Sequence, residues 1–154
     1  MAFSGIAVRV DAAKLARMVK ITGEYQGELH CTARHEPSGN TLVTDAPKDN
    51  QGRGEAFSPT DLIATSFATC ILTTMAIVAR KQGIELSGAR FEVTKEMSTT
   101  PPRRIVRLAT QIWLPIPVNH PAAKMLTAVA KNCPVHHTLH PLVEKPVIFH
   151  WAEK

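Results

Sequence analysis

The chain has 154 residues, 44% of them hydrophobic and 20% charged, which is enough for one hydrophobic core and excludes a disordered or fibrous chain. Its net charge of +5 comes from basic residues scattered along the sequence, and only 5% of the residues are aromatic, so nucleic acid is not expected as a partner. We therefore predict a single domain over residues 1–154.

The N-terminus and the cysteines predict a cytoplasmic protein. Arg9 and Asp11 interrupt the apolar residues at the start of the chain, which leaves no room for the core of a signal peptide. The three cysteines, Cys31, Cys70 and Cys133, are odd in number and widely spaced, which does not fit a framework of structural disulfides. Their thiols are therefore expected to be reduced and available for chemistry.

The first predicted elements are three consecutive strands. Apolar and polar residues alternate over residues 19–24 and 29–34, which predicts two half-buried strands joined by a tight turn near Gln26 and Gly27. A β-favouring segment at residues 41–44 predicts the third strand. The chain is therefore expected to begin its fold with a three-stranded meander.

Strand alternation also predicts the environment of Cys31. This residue shares a strand face with Leu29 and Ala33, so we expect it to be buried in the sheet. Buried cysteines away from charged side chains behave as small apolar residues. We therefore expect Cys31 to have no role in catalysis.

A long apolar helix is predicted from Pro59 to about Lys81. Ser58 can cap it, Pro59 suits its first position, and Asp61 can reach back to the cap amide. Residues 62–79 carry no charge, which touches the lower limit for a membrane span. Several Ser and Thr residues and the caps at both ends instead favour a helix in the core of a soluble protein, with no membrane as a partner.

The second half of the chain contains further strands and helices. They are predicted as strands at residues 89–94 and 105–114, a helix at about 120–131 capped by Asn119, a helical turn from Pro134, and a strand at 147–151. The order has no regular alternation of strands and helices. It therefore predicts an α+β fold with mostly antiparallel pairing.

Cys133 stands at the predicted start of a helical turn, directly before Pro134. Helix amides and the helix dipole favour a thiolate at this position, so we expect a lowered pKa for the Cys133 thiol. A competing interpretation makes Cys133, one of His136 and His137, and His140 ligands of a zinc ion, because they follow helical spacing. No second ligand pair accompanies them, and no metal site is predicted.

Two cysteine motifs resemble those of a known family. FSPTDLIATSFATC at residues 57–70 and NCPVHHTL at residues 132–139 are similar to the paired motifs of the OsmC/Ohr family of thiol peroxidases. The resemblance extends to the preceding meander and to the TDAP turn at residues 44–47. It implies an OsmC-like α+β fold, with antiparallel sheets around a long central helix, and an intertwined homodimer with the active sites at its interface.

The resemblance also implies a reaction. Cys70 would be the thiolate that attacks an organic hydroperoxide or hydrogen peroxide, and Cys133 would be the resolving thiol that forms a disulfide with it. A dithiol reductant would restore the pair, as part of defence against oxidative stress. No cofactor is implied.

A cation and a carboxylate complete the site that the resemblance implies. Arg34 is the nearest match to the family's arginine, which stabilises the thiolate. The family has a Glu directly after the Pro that begins the long helix, where this chain has Thr60. Glu55, in the polar loop at residues 45–57, or Asp61 could supply the carboxylate instead, and we assign Glu55 to the site.

Thr60 supports a second hypothesis, from a different functional class. A chain without the family's Glu at this position could bind a small apolar or reactive ligand in the interface pocket without turning it over. The state of the thiols after exposure to peroxide distinguishes this binding protein from an enzyme.

Overall fold

The computed structural model describes residues 18–153, which fall into two units that meet in sequence between Ser58 and Pro59. Arg9 and Asp11, on which the expectation of no signal peptide rests, lie outside the described residues. The single domain expected over residues 1–154 stays a prediction.

The described part of the N-terminal unit contains an antiparallel sheet of three strands in the order β1-β2-β3. Its strands are β1 (Ile21–Gly27), β2 (His30–His35) and β3 (Thr41–Thr44). The turn between β1 and β2 is made by Glu28 and Leu29, with φ angles of 49° and 65°, and so lies just after the predicted position. Positive φ at both central residues matches the twist of a two-residue hairpin.

The prediction that Cys31 is buried is wrong. Cys31 lies on β2, where it pairs with Tyr25 and Thr44, and it is exposed. Apolar side chains on the same face of the neighbouring strands, Ile21 and Leu42 among them, are exposed as well. Alternation identifies the residues that share a strand face, but it does not establish that the face is covered within this unit.

The described part of the C-terminal unit contains a second sheet and three helices. Its elements are α1 (Pro59–Arg80), β4 (Arg90–Met97), β5 (Ile105–Pro117), α2 (Ala123–Ala130), α3 (Pro134–Thr138) and β6 (Val147–Ala152). The sheet has the order β4-β5-β6, antiparallel between β4 and β5 and parallel between β5 and β6. The parallel pair arises because α2 and α3 carry the chain back before β6 begins. With its two sheets and few helices, this is an α+β fold, as predicted.

The predicted cap of α2 is wrong. The helix begins at Ala123 rather than near His120, and the residue at its cap is Ala122, which makes no side-chain cap bond. Asn119 lies in the turn before it. The backbone N–H of Ala122 instead donates to Nδ1 of His120, at 3.2 Å. Local capping signals identified the helix but missed the turn that precedes it.

Helix α1 supplies much of the core of the C-terminal unit. Its length and mean hydropathy of 2.0 would allow it to cross a membrane, but here it packs against β4, β5, α2 and α3. Phe67, Ile71 and Met75 follow one another at four-residue spacing and are fully buried. Burying each of them contributes roughly 1.5–3 kcal/mol. Ile63 and Ile77 are exposed, so the described residues leave part of the apolar surface of the helix uncovered.

Candidate active site

The C-terminal unit brings Cys70 and Cys133 together. Cys70 lies on α1 and is half-buried against the core, while Cys133 directly precedes α3 and is 0% exposed. The packing of α3 against α1 brings the side chain of Cys70 close enough to the Cys133 thiol to affect its pKa. Both cysteines are free thiols in this structure. Two adjacent thiols can be oxidised to a disulfide without a large movement of the chain.

Local sequence explains the position of Cys133. Its backbone is extended, with φ −70° and ψ 143°, and Pro134 follows as the first residue of α3. The backbone N–H of His136 donates to the Cys133 sulfur at 3.3 Å. Cys133 therefore caps α3, as the sequence predicts.

The expected lowering of the Cys133 pKa is wrong. Burial raises the pKa of the Cys133 thiol and is the largest effect, and the adjacent Cys70 raises it further. The hydrogen bond from the backbone N–H of His136 lowers the pKa, but by less than burial raises it. A helix of five residues has few aligned peptide dipoles. Burial therefore raises the pKa by more than the N-terminus of α3 lowers it. Cys133 is therefore a neutral thiol at neutral pH.

His136 lies beside Cys133, but it is a poor source of positive charge. Burial lowers the pKa of its imidazole, and the charges of Lys145, His137 and Lys131 lower it further. Its ring lies 5.9 Å from that of Phe67 on α1, and its Nδ1 is buried with no hydrogen-bond partner among the described residues. His136 therefore contacts the Cys133 sulfur through its backbone N–H, while its ring is neutral and packed.

The residues of the competing zinc hypothesis do not form a metal-binding group. Cys133, His136, His137 and His140 all lie in the described part of the chain, yet their ligand atoms do not converge. The group of three or more potential ligands found among residues 18–153 is instead His30, Asp45 and Glu55, in the N-terminal unit. Sequence analysis missed this group because its members are far apart in the chain.

Asp45 is the buried member of that group. It is 1% exposed, and its Oδ2 accepts the backbone N–H of Glu55 at 3.0 Å. That hydrogen bond is the largest of several effects that lower the pKa of Asp45, and nearby His30 acts in the same direction. The carboxylate is therefore ionised at neutral pH even though it is buried.

Arg34 and Glu55, the other two predicted site residues, both belong to the N-terminal unit. Arg34 lies on β2 with its Nε 4.0 Å from Oε2 of Glu36. Glu55 lies in the loop after β3, and its Oε2 is 3.5 Å from Nε2 of His30. Both contacts lie within the N-terminal unit, and the catalytic roles of Arg34 and Glu55 stay predictions.

The start of α1 contains a contact that sequence analysis missed. Lys95 of β4 donates from Nζ to Oγ1 of Thr60 at 2.8 Å and to Oδ1 of Asp61 at 2.6 Å. Lys95 shares the inward face of β4 with Val93 and Met97, and this lysine at an inward position was the available signal. Thr60, at the position of the family's Glu, is therefore held by a cation.

The family comparison agrees with the cysteine motifs. Residues 52–144 match the family model described as OsmC-like protein. No curated protein matches the chain.

Solved structures share the fold. A Psychrobacter arcticus 273-4 protein, described as an osmotic stress induced and detoxification response protein, is 40% identical, with a TM-score of 0.79 over 97% of this chain and 100% of that one. An organic hydroperoxide resistance protein OsmC from Legionella pneumophila is 20% identical, with a TM-score of 0.69 over 86% of this chain and 96% of that one. An organic hydroperoxide resistance protein from Vibrio cholerae, with captopril bound in one of its active sites, is 20% identical, with a TM-score of 0.66 over 84% and 90%.

Proposed function

Because the chain belongs to the OsmC/Ohr family, we propose that it is a cysteine-dependent hydroperoxide reductase in which Cys70 attacks the peroxide and Cys133 resolves the product. The observation that carries this proposal is the proximity of the two cysteines, which the packing of α3 against α1 brings about. Cys70 is the more accessible of the two, whereas Cys133 is buried and protonated. A peroxide has easier access to Cys70, and a buried, protonated thiol such as Cys133 is a poor nucleophile, so Cys70 is favoured for the attack.

The reaction balances with these two thiols and an external reductant. The Cys70 thiolate bonds to the terminal oxygen of the hydroperoxide, the O–O bond breaks, and the alkoxide leaves and takes a proton to become an alcohol. Cys70 is then a sulfenic acid, oxidised by two electrons. The Cys133 sulfur bonds to the Cys70 sulfur, and the sulfenic oxygen leaves as water. A dithiol reductant returns both cysteines to thiols and becomes a disulfide itself.

Arg34 and Glu55 are part of the proposal through the family resemblance alone. A guanidinium close to the sulfur would stabilise both the thiolate and the departing alkoxide, and a carboxylate would hold that guanidinium in place. The names of the Legionella pneumophila and Vibrio cholerae proteins, both organic hydroperoxide resistance proteins, support organic hydroperoxides as the substrate class and peroxide stress as the setting. The cytoplasm, as a reducing compartment, suits a cycle that ends in free thiols.

The test is to oxidise the reduced protein with one equivalent of cumene hydroperoxide, alkylate the remaining thiols, and map the peptides without reduction. Cleavage after Lys and Arg places Cys31, Cys70 and Cys133 on three different peptides, so any linkage is unambiguous. We expect a Cys70–Cys133 disulfide and an alkylated Cys31. A parallel sample with hydrogen peroxide compares the two substrates.

If the thiols stay intact with both peroxides, the proposed peroxidase activity is overturned and the ligand-binding hypothesis is favoured. One contact favours that second function. Thr60 has a hydroxyl where the family has a carboxylate, and Lys95 donates a hydrogen bond to that hydroxyl. A disulfide that includes Cys31 would also contradict the proposed roles.

We also predict that two chains form an intertwined homodimer. Ile63 and Ile77 of α1 are exposed, and so are Ile21 and Val43 in the N-terminal unit. Monomeric proteins rarely leave large apolar patches in water, and a second chain would cover these side chains. Sedimentation at micromolar concentration should give twice the mass of one chain. A folded species with the mass of a single chain would contradict the prediction.

A further inference from the structure

Three side chains of the N-terminal unit direct their ligand atoms toward one another: His30 at the start of β2, Asp45 after β3, and Glu55 in the following loop. Nε2 of His30 lies 3.8 Å from Oδ1 of Asp45 and 3.5 Å from Oε2 of Glu55, and the three atoms are all within 4.8 Å of one another. We propose that His30, Asp45 and Glu55 bind a divalent transition-metal ion.

Asp45 supplies an independent indication of a missing partner. Its Oδ1 is buried and has no hydrogen-bond partner among the described residues, while its Oδ2 is occupied by the N–H of Glu55. A buried carboxylate oxygen without a donor is costly, and Nε2 of His30, at 3.8 Å, is too distant for a hydrogen bond. A cation between these two atoms would satisfy the oxygen.

The ring of His30 is oriented as that of a metal ligand would be. Its Nδ1 lies 2.8 Å from the backbone oxygen of Glu28, and a carbonyl oxygen only accepts, so Nδ1 carries the proton. In a neutral imidazole the other nitrogen, Nε2, then has a free lone pair, and this is the atom that faces Asp45 and Glu55. Metal-bound histidines commonly donate their second N–H to a backbone carbonyl in this way.

The spacing of the ligand atoms fits a transition metal. Bonds of about 2.0–2.2 Å place neighbouring ligands of a tetrahedral ion about 3.3–3.6 Å apart. The 3.5 Å separation falls in this range, and the 3.8 Å separation is close to it. The side chain of Glu55 is 59% exposed, so its carboxylate has room to move toward a bound ion.

The donor set indicates the class of ion. One imidazole nitrogen and two carboxylate oxygens suit Zn²⁺, Mn²⁺ or Fe²⁺ rather than an ion that prefers thiolates. Three protein ligands leave at least one coordination position for water. Here Glu55 is a metal ligand, whereas the family resemblance alone would make it a catalytic carboxylate.

The test is a calorimetric titration of the full-length wild type and of the His30→Gln variant with Zn²⁺. We expect the wild type to bind one more equivalent than His30→Gln, or to bind that equivalent at least about tenfold more tightly. The wild type and His30→Gln have the same cysteines, so any zinc that binds to thiolates contributes equally to both titrations. The difference between the two titrations therefore reports on this site alone. Zn²⁺ should also raise the melting temperature of the wild type by more than that of the variant.

His35→Gln is the matched control, because His35 lies on the same strand and its Nδ1 contacts Oγ of Ser38 instead of the cluster. It should bind Zn²⁺ as the wild type does. Glu55→Gln, at an exposed position that tolerates substitution, should also weaken binding and serves if His30→Gln does not fold. Equal zinc binding by the wild type, His30→Gln and Glu55→Gln would overturn the proposal and leave the cluster as an ion pair.

Discussion

Cys70→Ser is expected to consume no hydroperoxide, because the attacking sulfur is gone. Loss of a catalytic nucleophile lowers rates by a thousandfold or more, on the order of values measured in other enzymes. The rate of hydroperoxide loss, followed with a dithiol reductant present, measures this effect. Cys70 is half-buried on α1, so a serine there fits without a new cavity.

Cys133→Ser is expected to fail differently. Its Cys70 should still react with one equivalent of peroxide and then stop as a sulfenic acid or a more oxidised form, because no resolving thiol lies beside it. The serine oxygen can accept the N–H of His136 in place of the sulfur, so α3 should keep its cap. Mass measurement should show one added oxygen on the peptide that contains Cys70, and a sulfenic-acid trap should react with it.

Cys31→Ser is the matched control for both variants. It removes an exposed thiol from the N-terminal unit, and it should leave the rate and the Cys70–Cys133 disulfide unchanged. If the two active-site variants behave in the opposite way, the roles are exchanged and Cys133 is the nucleophile. The raised pKa of the Cys133 thiol argues against that exchange, since only a small fraction of this side chain is a thiolate at neutral pH.

Sequence identified the elements whose ends carry strong local signals. Pro59 begins α1 and Cys133 caps α3 as predicted, because in each case a proline fixes the first helical residue. Thr41–Thr44 forms β3 with the predicted bounds. Features that depend on distant parts of the chain were missed, such as the parallel pairing of β6 and the turn that replaces the cap at Asn119.

The same division applies to the site. The motifs predicted that Cys70 and Cys133 act together, and the structure brings them close to each other, but the sign of the pKa shift at Cys133 depends on burial, which local spacing does not reveal. The exposure of Cys31 was missed for the same reason. His30 and Asp45 are brought together by the pairing of β2 with β3, so their proximity requires the sheet register.

Phe67→Ala is expected to be the most destabilising single truncation in the site. Phe67 is 0% exposed in the core of the C-terminal unit, and its ring packs 5.9 Å from that of His136. Replacing a buried phenylalanine with alanine costs about 3–5 kcal/mol, a large part of the roughly 5–15 kcal/mol that stabilises a domain. Urea unfolding at a fixed protein concentration measures the loss. We also expect slower disulfide formation, because His136 both packs on Phe67 and donates to the Cys133 sulfur.

Phe91→Ala separates this effect from the general cost of losing a phenylalanine. Phe91 lies on β4 and is 36% exposed, so its truncation should cost much less and leave disulfide formation unchanged. Phe67→Leu keeps most of the volume and should recover part of the stability if Phe67→Ala does not fold. Equal losses in Phe67→Ala and Phe91→Ala would contradict the core position of Phe67. A destabilised Phe67→Ala that forms the disulfide at the wild-type rate would instead show that the packing of His136 does not position Cys133.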